Sequence, residues 1–168
     1  MTRLPYMHLA HGDLEREIAT TRRMLKRAPE EQYAWKPHEK SMSLGDLVSH
    51  LAHLLWWGTT TLTTDELDMA GPFPRRTAPE NRAALLDEFD RKADELRHAV
   101  GGLAEEDLAR MWTLRVGSHV IFSEPKADVF RSFTISHMAH HRGQLSVYLR
   151  LLNVSVPPSY GPTADEDS

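Results

Sequence analysis

The chain has 168 residues, of which 40% are hydrophobic and 26% are charged, a balance typical of a globular protein with its own apolar core. Its formal net charge is −4 and it has no block of basic residues, which argues against nucleic acid as a main partner because such binding depends on neutralising phosphates. It has no cysteine, which excludes disulfides, thiolate metal ligands and a cysteine nucleophile, so any thiol in its chemistry must arrive as a cosubstrate.

The length predicts a single domain over residues 1–168. No stretch approaches the roughly 18 apolar residues of a membrane helix, and the first residues lack the apolar core of a signal peptide. We therefore expect a cytoplasmic protein that has no membrane partner.

Two amphipathic helices are predicted in the first part of the chain. The first covers residues 6–28, where apolar residues recur at helical spacing. The second covers residues 44–61 and follows Ser43, a favourable N-cap residue. On this second helix, leucines flank His50 at the spacing of one face, which favours His50 over His53 as the inward histidine.

A proline-rich connection separates these helices from the third. We interpret residues 62–78 as a mobile connection at the rim of a pocket. The third helix is predicted over 79–100, with Pro79 in its first turn and a glycine pair after its end. Residues 112–122 alternate in polarity, which predicts a short hairpin-like segment that lies against the helices.

The last helix is predicted over 126–152, followed by an extended tail over 154–168. Its apolar face carries His137 and His141, which are four residues apart and therefore have Cβ atoms roughly 5–6 Å from each other. Four amphipathic helices of these lengths predict an all-α protein, a four-helix bundle with a short hairpin-like segment before the last helix.

Three inward histidines on facing helices predict a metal site. His50, His137 and His141 would supply three nitrogen ligands and leave a position open, as in catalytic rather than structural zinc sites. Imidazole suits Zn, Ni, Fe and Cu, so the ligands do not identify the ion. The alternative is that these are unrelated core and surface histidines. His53 or His140 could also complete the site, although His140 lies about 100° around the helix from His141.

Three stretches resemble one known family. HMAHHRGQLSVYLRLLNVSVPPSYGP (137–162) is similar to the C-terminal signature of the DinB family, WKPHEKSMSLGDLVSHLAHL (35–54) to its second-helix motif, and WTLRVGSHVIFSEPK (112–126) to its connecting segment. The resemblance implies a DinB/YfiT-like four-helix bundle. It also implies that His50, His137 and His141 form the divalent-metal triad, with Zn, Ni or Fe as the ion.

The resemblance further implies an enzyme that transfers a low-molecular-weight thiol to a small electrophilic substrate, the metal holding the thiol sulfur as thiolate. One alternative is a hydrolase that uses metal-bound water, for which Asp46 is the nearest candidate base. Another is a non-enzymatic metal-binding stress-response protein whose site is closed by a fourth ligand. A homodimer is expected because the helices are apolar around more than half their surface, and the family habit agrees.

The remaining residues of the motifs have ordinary structural interpretations. Arg142 is expected to form a surface or interhelical ion pair, and Gln144 a hydrogen bond to a neighbouring helix, with support of the metal site as the alternative for both. Tyr148 lies on the histidine face and is expected to be a core tyrosine. Core packing is also expected for three tryptophans that could instead line a pocket: Trp56, Trp57 and Trp112.

Overall fold

The computed structural model describes the backbone of residues 6–166 and the side chains of residues 13–166. Within that range the chain forms four long helices and one three-stranded sheet. The helices are α1 (Tyr6–Arg27), α2 (Leu44–Thr63), α3 (Arg82–Gly101) and α4 (126–151), and the strands are β1 (Glu66–Asp68), β2 (Met111–Val116) and β3 (His119–Pro125). The predicted helical bundle with a hairpin before its last helix is confirmed.

The helices surround one leucine-rich core. Each helix contacts two others, in the cyclic order α1, α3, α2, α4. Leucines of all four helices are almost completely buried where they meet: Leu14, Leu25, Leu47, Leu51, Leu55, Leu85, Leu96, Leu145 and Leu149. None of the helices in the described part of the chain combines the length and apolar character that crossing a bilayer would require.

Side-chain caps fix where α2 and α3 begin. Ser43 accepts a hydrogen bond from the backbone N–H of Asp46 at 3.0 Å, and the Asp46 carboxylate accepts one from the Ser43 hydroxyl at 2.8 Å. This reciprocal pair starts α2 at the predicted residue. Asn81 caps α3 with a single bond, accepting from the backbone N–H of Ala84 at 2.8 Å. Because a capping residue has an extended backbone, α3 begins after Asn81, and the predicted start at Pro79 lies outside the helix.

The connection after α2 contains a strand that the sequence pattern did not indicate. β1 pairs in parallel with β2, and β2 pairs antiparallel with β3 around a turn in which Gly117 has φ +58°. Arg115 of β2 ties this strand to β1, since its guanidinium donates to Asp68 at 2.5 Å and to Glu66 at 2.7 Å. The interpretation of residues 62–78 as a mobile connection is therefore wrong for its first part, which contains β1. The sequence did not reveal this strand because three residues are too few to show a period.

A wide helical turn interrupts α4 immediately before the two histidines. α-Helix at Lys126–Phe130 is followed by π-helix at Arg131–Ser136 and by α-helix again at His137–Leu151. The widened turn presses Thr134 against α2 at Gly58, where a Cβ atom would lie only 3.0 Å from the Thr134 methyl group. Such π segments inside α-helices are frequent at functional sites.

The C-terminal tail folds back onto α1 and α4. Asp165 accepts hydrogen bonds from Arg150 at 2.6 Å and from the backbone N–H of Val156 at 2.8 Å. Tyr160 donates its hydroxyl hydrogen to Glu17 of α1 at 2.7 Å. The acidic end of the tail thus takes part in the fold.

Candidate metal centre

The structure brings the three predicted histidines into one cluster between α2 and α4. Their ring nitrogens lie within 4.8 Å of one another. The Nε2 atom of His137 is 3.4 Å from Nε2 of His50 and 2.8 Å from Nε2 of His141. His137 and His141 come from adjacent turns of α4, and His50 faces them from α2, two helical turns after the Ser43 cap.

This spacing fits a single metal ion. With metal–nitrogen bonds of about 2.0–2.1 Å, tetrahedral geometry places neighbouring ligand nitrogens about 3.3–3.4 Å apart. The His50–His137 separation of 3.4 Å already has this value, and the His137–His141 pair needs only a small ring rotation to reach it. Among the side chains of residues 13–166, no further histidine or carboxylate belongs to the cluster, so coordination positions stay open.

Burial keeps the cluster uncharged. Desolvation, followed by the repulsion that a protonated His50 would meet from His141 and Arg76, lowers the pKa of His50 to about 3. Desolvation also lowers the pKa values of His137 and His141. At neutral pH the three rings are therefore neutral and each has one nitrogen lone pair for a ligand bond.

Gln144 orients the ring of His141. The amide oxygen of Gln144 is 2.7 Å from Nδ1 of His141. Since a carbonyl oxygen only accepts, Nδ1 carries the proton and Nε2 presents its lone pair to the cluster. The amide nitrogen of Gln144 donates in turn to Nε2 of His140 at 3.1 Å. The prediction that Gln144 ties α4 to a neighbouring helix is wrong, because both of its partners lie on α4 itself.

Neither of the two additional histidines joins the cluster. His53 is buried and stacks on Trp56, with ring centroids 4.8 Å apart. Its burial and the charge of Lys92 on α3 lower its pKa to about 4, so its ring occupies the α2–α3 side of the bundle. His140 is exposed to solvent, as the helical angle predicts.

Arg142 points away from the cluster into a second buried polar region. Its side chain is 1% exposed and pairs with the carboxylate of Glu17 on α1. It also donates to the hydroxyl of Thr21 at 3.2 Å and lies over the ring of Tyr160 at 5.0 Å. The predicted ion pair is therefore interhelical and buried, and it ties α4 to both α1 and the tail.

Tyr148 has a structural partner. It is half-buried and donates to the backbone carbonyl of Met42 at 3.1 Å, while Trp35 packs edge-on against its ring. These contacts fix the loop that precedes α2. Asp46, the nearest predicted base, has its carboxylate engaged by the Ser43 cap.

An apolar cavity of about 360 Å³ opens beside two of the three histidines. Its walls come from α2, the π segment of α4 and the sheet: His50, Leu54, Trp57, Met69, Leu114, Val116, Ile121, Phe133 and His137. Trp57 lines this cavity, Trp112 is fully buried beneath it, and Trp56 packs against His53. The sequence patterns did not indicate Phe133 or Leu114 as cavity residues, because the π turn and the fold of the sheet bring them there.

The comparisons with known proteins agree with this fold. The model of the DinB family matches residues 12–167. The uncharacterized protein YrdA of Bacillus subtilis is 24% identical over 155 residues, which cover 90% of this chain and 86% of YrdA.

Two solved structures are similar in fold. A DinB-like protein from Bacillus cereus has a TM-score of 0.64 and 21% identity, covering 87% of this chain and 92% of its own. A DinB-like protein from Bacillus subtilis has a TM-score of 0.67 and 21% identity, covering 89% of this chain and 94% of its own.

Proposed function

The chain belongs to the DinB family, and on that premise we propose that it is a divalent-metal-dependent enzyme that transfers a low-molecular-weight thiol to a small electrophile. The observation that carries this proposal is the convergence of three neutral imidazoles at the edge of a cavity. A site with three protein ligands and an adjacent space accommodates both a cosubstrate and a substrate.

The protein contributes binding and orientation. His50, His137 and His141 would hold the ion, and Gln144 keeps the lone pair of His141 directed at it. A bound divalent cation supplies Lewis acidity, which favours the deprotonated form of a thiol at neutral pH. In the transfer, the thiol proton is released, the sulfur lone pair forms the new S–C bond, and the leaving group departs with its bonding electron pair.

Two observations favour thiol transfer over hydrolysis. The histidine cluster contains no carboxylate among the side chains of residues 13–166, whereas metal-dependent hydrolysis usually employs a nearby Glu or Asp as a base. Asp46, the predicted candidate, is bound in the α2 cap. A closed, structural metal site is disfavoured because His53 and His140 both have partners elsewhere.

Metal and thiol binding can be tested without knowing the substrate. The tag-free chain is loaded with Zn²⁺, Ni²⁺ or Co²⁺ and its metal content is measured by elemental analysis. The Co²⁺-loaded protein is then titrated with cysteine and with other small thiols. We expect about one ion per chain and new sulfur-to-cobalt charge-transfer absorption as thiol is added.

His137→Ala and His140→Ala form a matched pair for this experiment. His137→Ala removes a central nitrogen of the cluster and should abolish both signals, while His140→Ala changes an exposed histidine three residues away and should preserve them. A wild-type chain that stays metal-free at neutral pH would overturn the metal site. If the absorption spectrum of the Co²⁺-loaded protein does not change when thiol is added, the proposed transfer reaction is refuted.

A further inference from the structure

We propose that the cavity beside the histidines binds the uncharged, apolar body of the electrophile, so that the substrates are hydrophobic molecules whose reactive carbon reaches His50 and His137. This inference rests on the proposed function, because it assigns the cavity to the second substrate of thiol transfer. It adds a substrate class that the histidine cluster by itself does not indicate.

The chemistry of the lining carries the inference. Seven of the nine lining residues are aliphatic, aromatic or Met, and the two polar ones are His50 and His137 at one end. Among the side chains that the structure describes, none that lines the cavity is charged. A charged substrate would therefore lose hydration on entry without gaining a partner, which is costly, whereas an apolar body would gain from leaving water.

The size and shape of the cavity agree with this assignment. Its volume of about 360 Å³ lies at the small end of the roughly 300–1,000 Å³ typical of ligand pockets. Trp57 and Phe133 form one wall with nearly parallel rings, 6.3 Å between centroids and 21° between planes. Both side chains are only half-buried, so they leave ring surface available to an aromatic or alkyl group.

The cavity and the histidine cluster share two residues. His50 and His137 belong both to the cavity wall and to the cluster. An apolar molecule in the cavity is therefore next to the nitrogens that would hold the ion. The sheet contributes Leu114 and Ile121 to the cavity wall, and Ile121, which is 51% exposed, lies where this wall meets solvent.

Two neighbouring residues of β3 offer a matched test. Val120 and Ile121 are each 51% exposed, but only Ile121 is among the cavity residues. Glutamate is tolerated at half-exposed positions, so Ile121→Glu and Val120→Glu should both fold, which circular dichroism and thermal unfolding would verify. Ile121→Glu places a carboxylate at the cavity mouth, and Val120→Glu places the same charge beside it.

The probe is N-phenyl-1-naphthylamine, an uncharged aromatic whose fluorescence rises in apolar surroundings. We expect it to bind the wild-type chain and Val120→Glu equally, and to bind Ile121→Glu at least tenfold more weakly. Its 8-sulfonate derivative, which has the same rings and one negative charge, should bind the wild type more weakly than the neutral probe. Metal content should be the same in all three proteins.

Three results would overturn the inference: no binding of the neutral probe to the wild type, as when a second copy of the chain covers the mouth; equal losses in the two variants; or tighter binding of the sulfonate. The proposed function fails separately. If the probe binds as expected but the wild type takes up no metal, thiol transfer is refuted while the apolar site stands. If metal and thiol bind but the probe does not, only the cavity assignment is refuted.

Discussion

Two adjacent residues of α4, His141 and Arg142, serve buried polar regions of opposite character. His141 faces α2, where its neighbours are two other neutral histidines and the cluster borders a cavity. Arg142 faces α1, where it meets a carboxylate, a hydroxyl and an aromatic ring. A rotation of about 100° around the helix thus separates a site that can accept a ligand from a buried charge that is paired within the protein.

The difference shows how to separate function from stability within one sequence motif. A buried charge that is paired inside the protein contributes to the fold, because removing its partner leaves an uncompensated charge. Buried neutral nitrogens directed at one another retain free binding capacity. The two regions should therefore respond independently to substitution.

The largest expected effect is on metal binding. His141→Ala should reduce the metal content from about one ion per chain to background, because two ligands remain on different helices. Its effect on the free energy of unfolding of the metal-free protein should stay within about 0.5–3 kcal/mol, the range of ordinary substitutions. Elemental analysis together with urea unfolding would check both parts. Full metal content in a folded His141→Ala protein would contradict the assignment of this ligand.

The next effect is on stability alone. Arg142→Met should lower the free energy of unfolding by about 3–5 kcal/mol, because Glu17 is left buried without its cation. Urea unfolding measures the loss, and the folded fraction should still bind metal. The double variant Glu17→Gln/Arg142→Met should recover part of the loss. A double variant less stable than Arg142→Met would show that the ion pair is not the cause.

Gln144 belongs to the histidine region, and its substitution should change metal affinity. Gln144→Ala removes the acceptor that holds the His141 ring and should weaken metal affinity by about 10–100-fold, the usual consequence of losing such support. Competition with a metal chelator measures this change. Ser146→Ala, which removes a hydroxyl that donates to the backbone carbonyl of Gly143 on the same helix, is the control and should bind metal like the wild type.

The smallest effect concerns pH. The pKa of His53 is about 4 in the fold and about 6.5 when the chain is unfolded. As the pH falls, His53 is therefore protonated in the unfolded state before it is protonated in the fold. The stability that the neutral His53 contributes above pH 6.5 is lost progressively as the pH falls toward 4. Metal-free protein should lose about 1 kcal/mol from this histidine between pH 7.5 and 5.5. His53→Gln should unfold with a smaller pH dependence, and an unchanged dependence would contradict this assignment.

The features that could be predicted from the sequence are those with a local signature. Helical spacing and the Ser43 cap indicate α2 and its inward His50, and the i, i+4 spacing brings His137 and His141 together. That these three residues bind a metal stays a prediction. Hydrophobic periodicity also predicts the bundle, since burial of apolar faces drives it.

The features that could not be predicted depend on distant contacts. β1 forms by pairing with β2, whose Arg115 also bonds to Glu66 and Asp68, almost fifty residues earlier in the chain. The burial of Arg142 requires Glu17, 125 residues away. The sequence could not predict the partners of Gln144. The direction of its side chain, rather than its spacing, decides whether it bonds within its own helix or to a neighbouring one.

The π segment at Arg131–Ser136 sets the rotational phase of α4. One extra residue in a turn offsets the following helix by about 100° relative to an uninterrupted α-helix. The half of α4 before it directs Val129 toward Trp112 under the sheet, and the half after it directs the histidines toward α2. The two halves of α4 therefore direct their side chains at different neighbours, which an uninterrupted α-helix would not do. Deleting a single residue within the π segment would rotate the histidines away from His50.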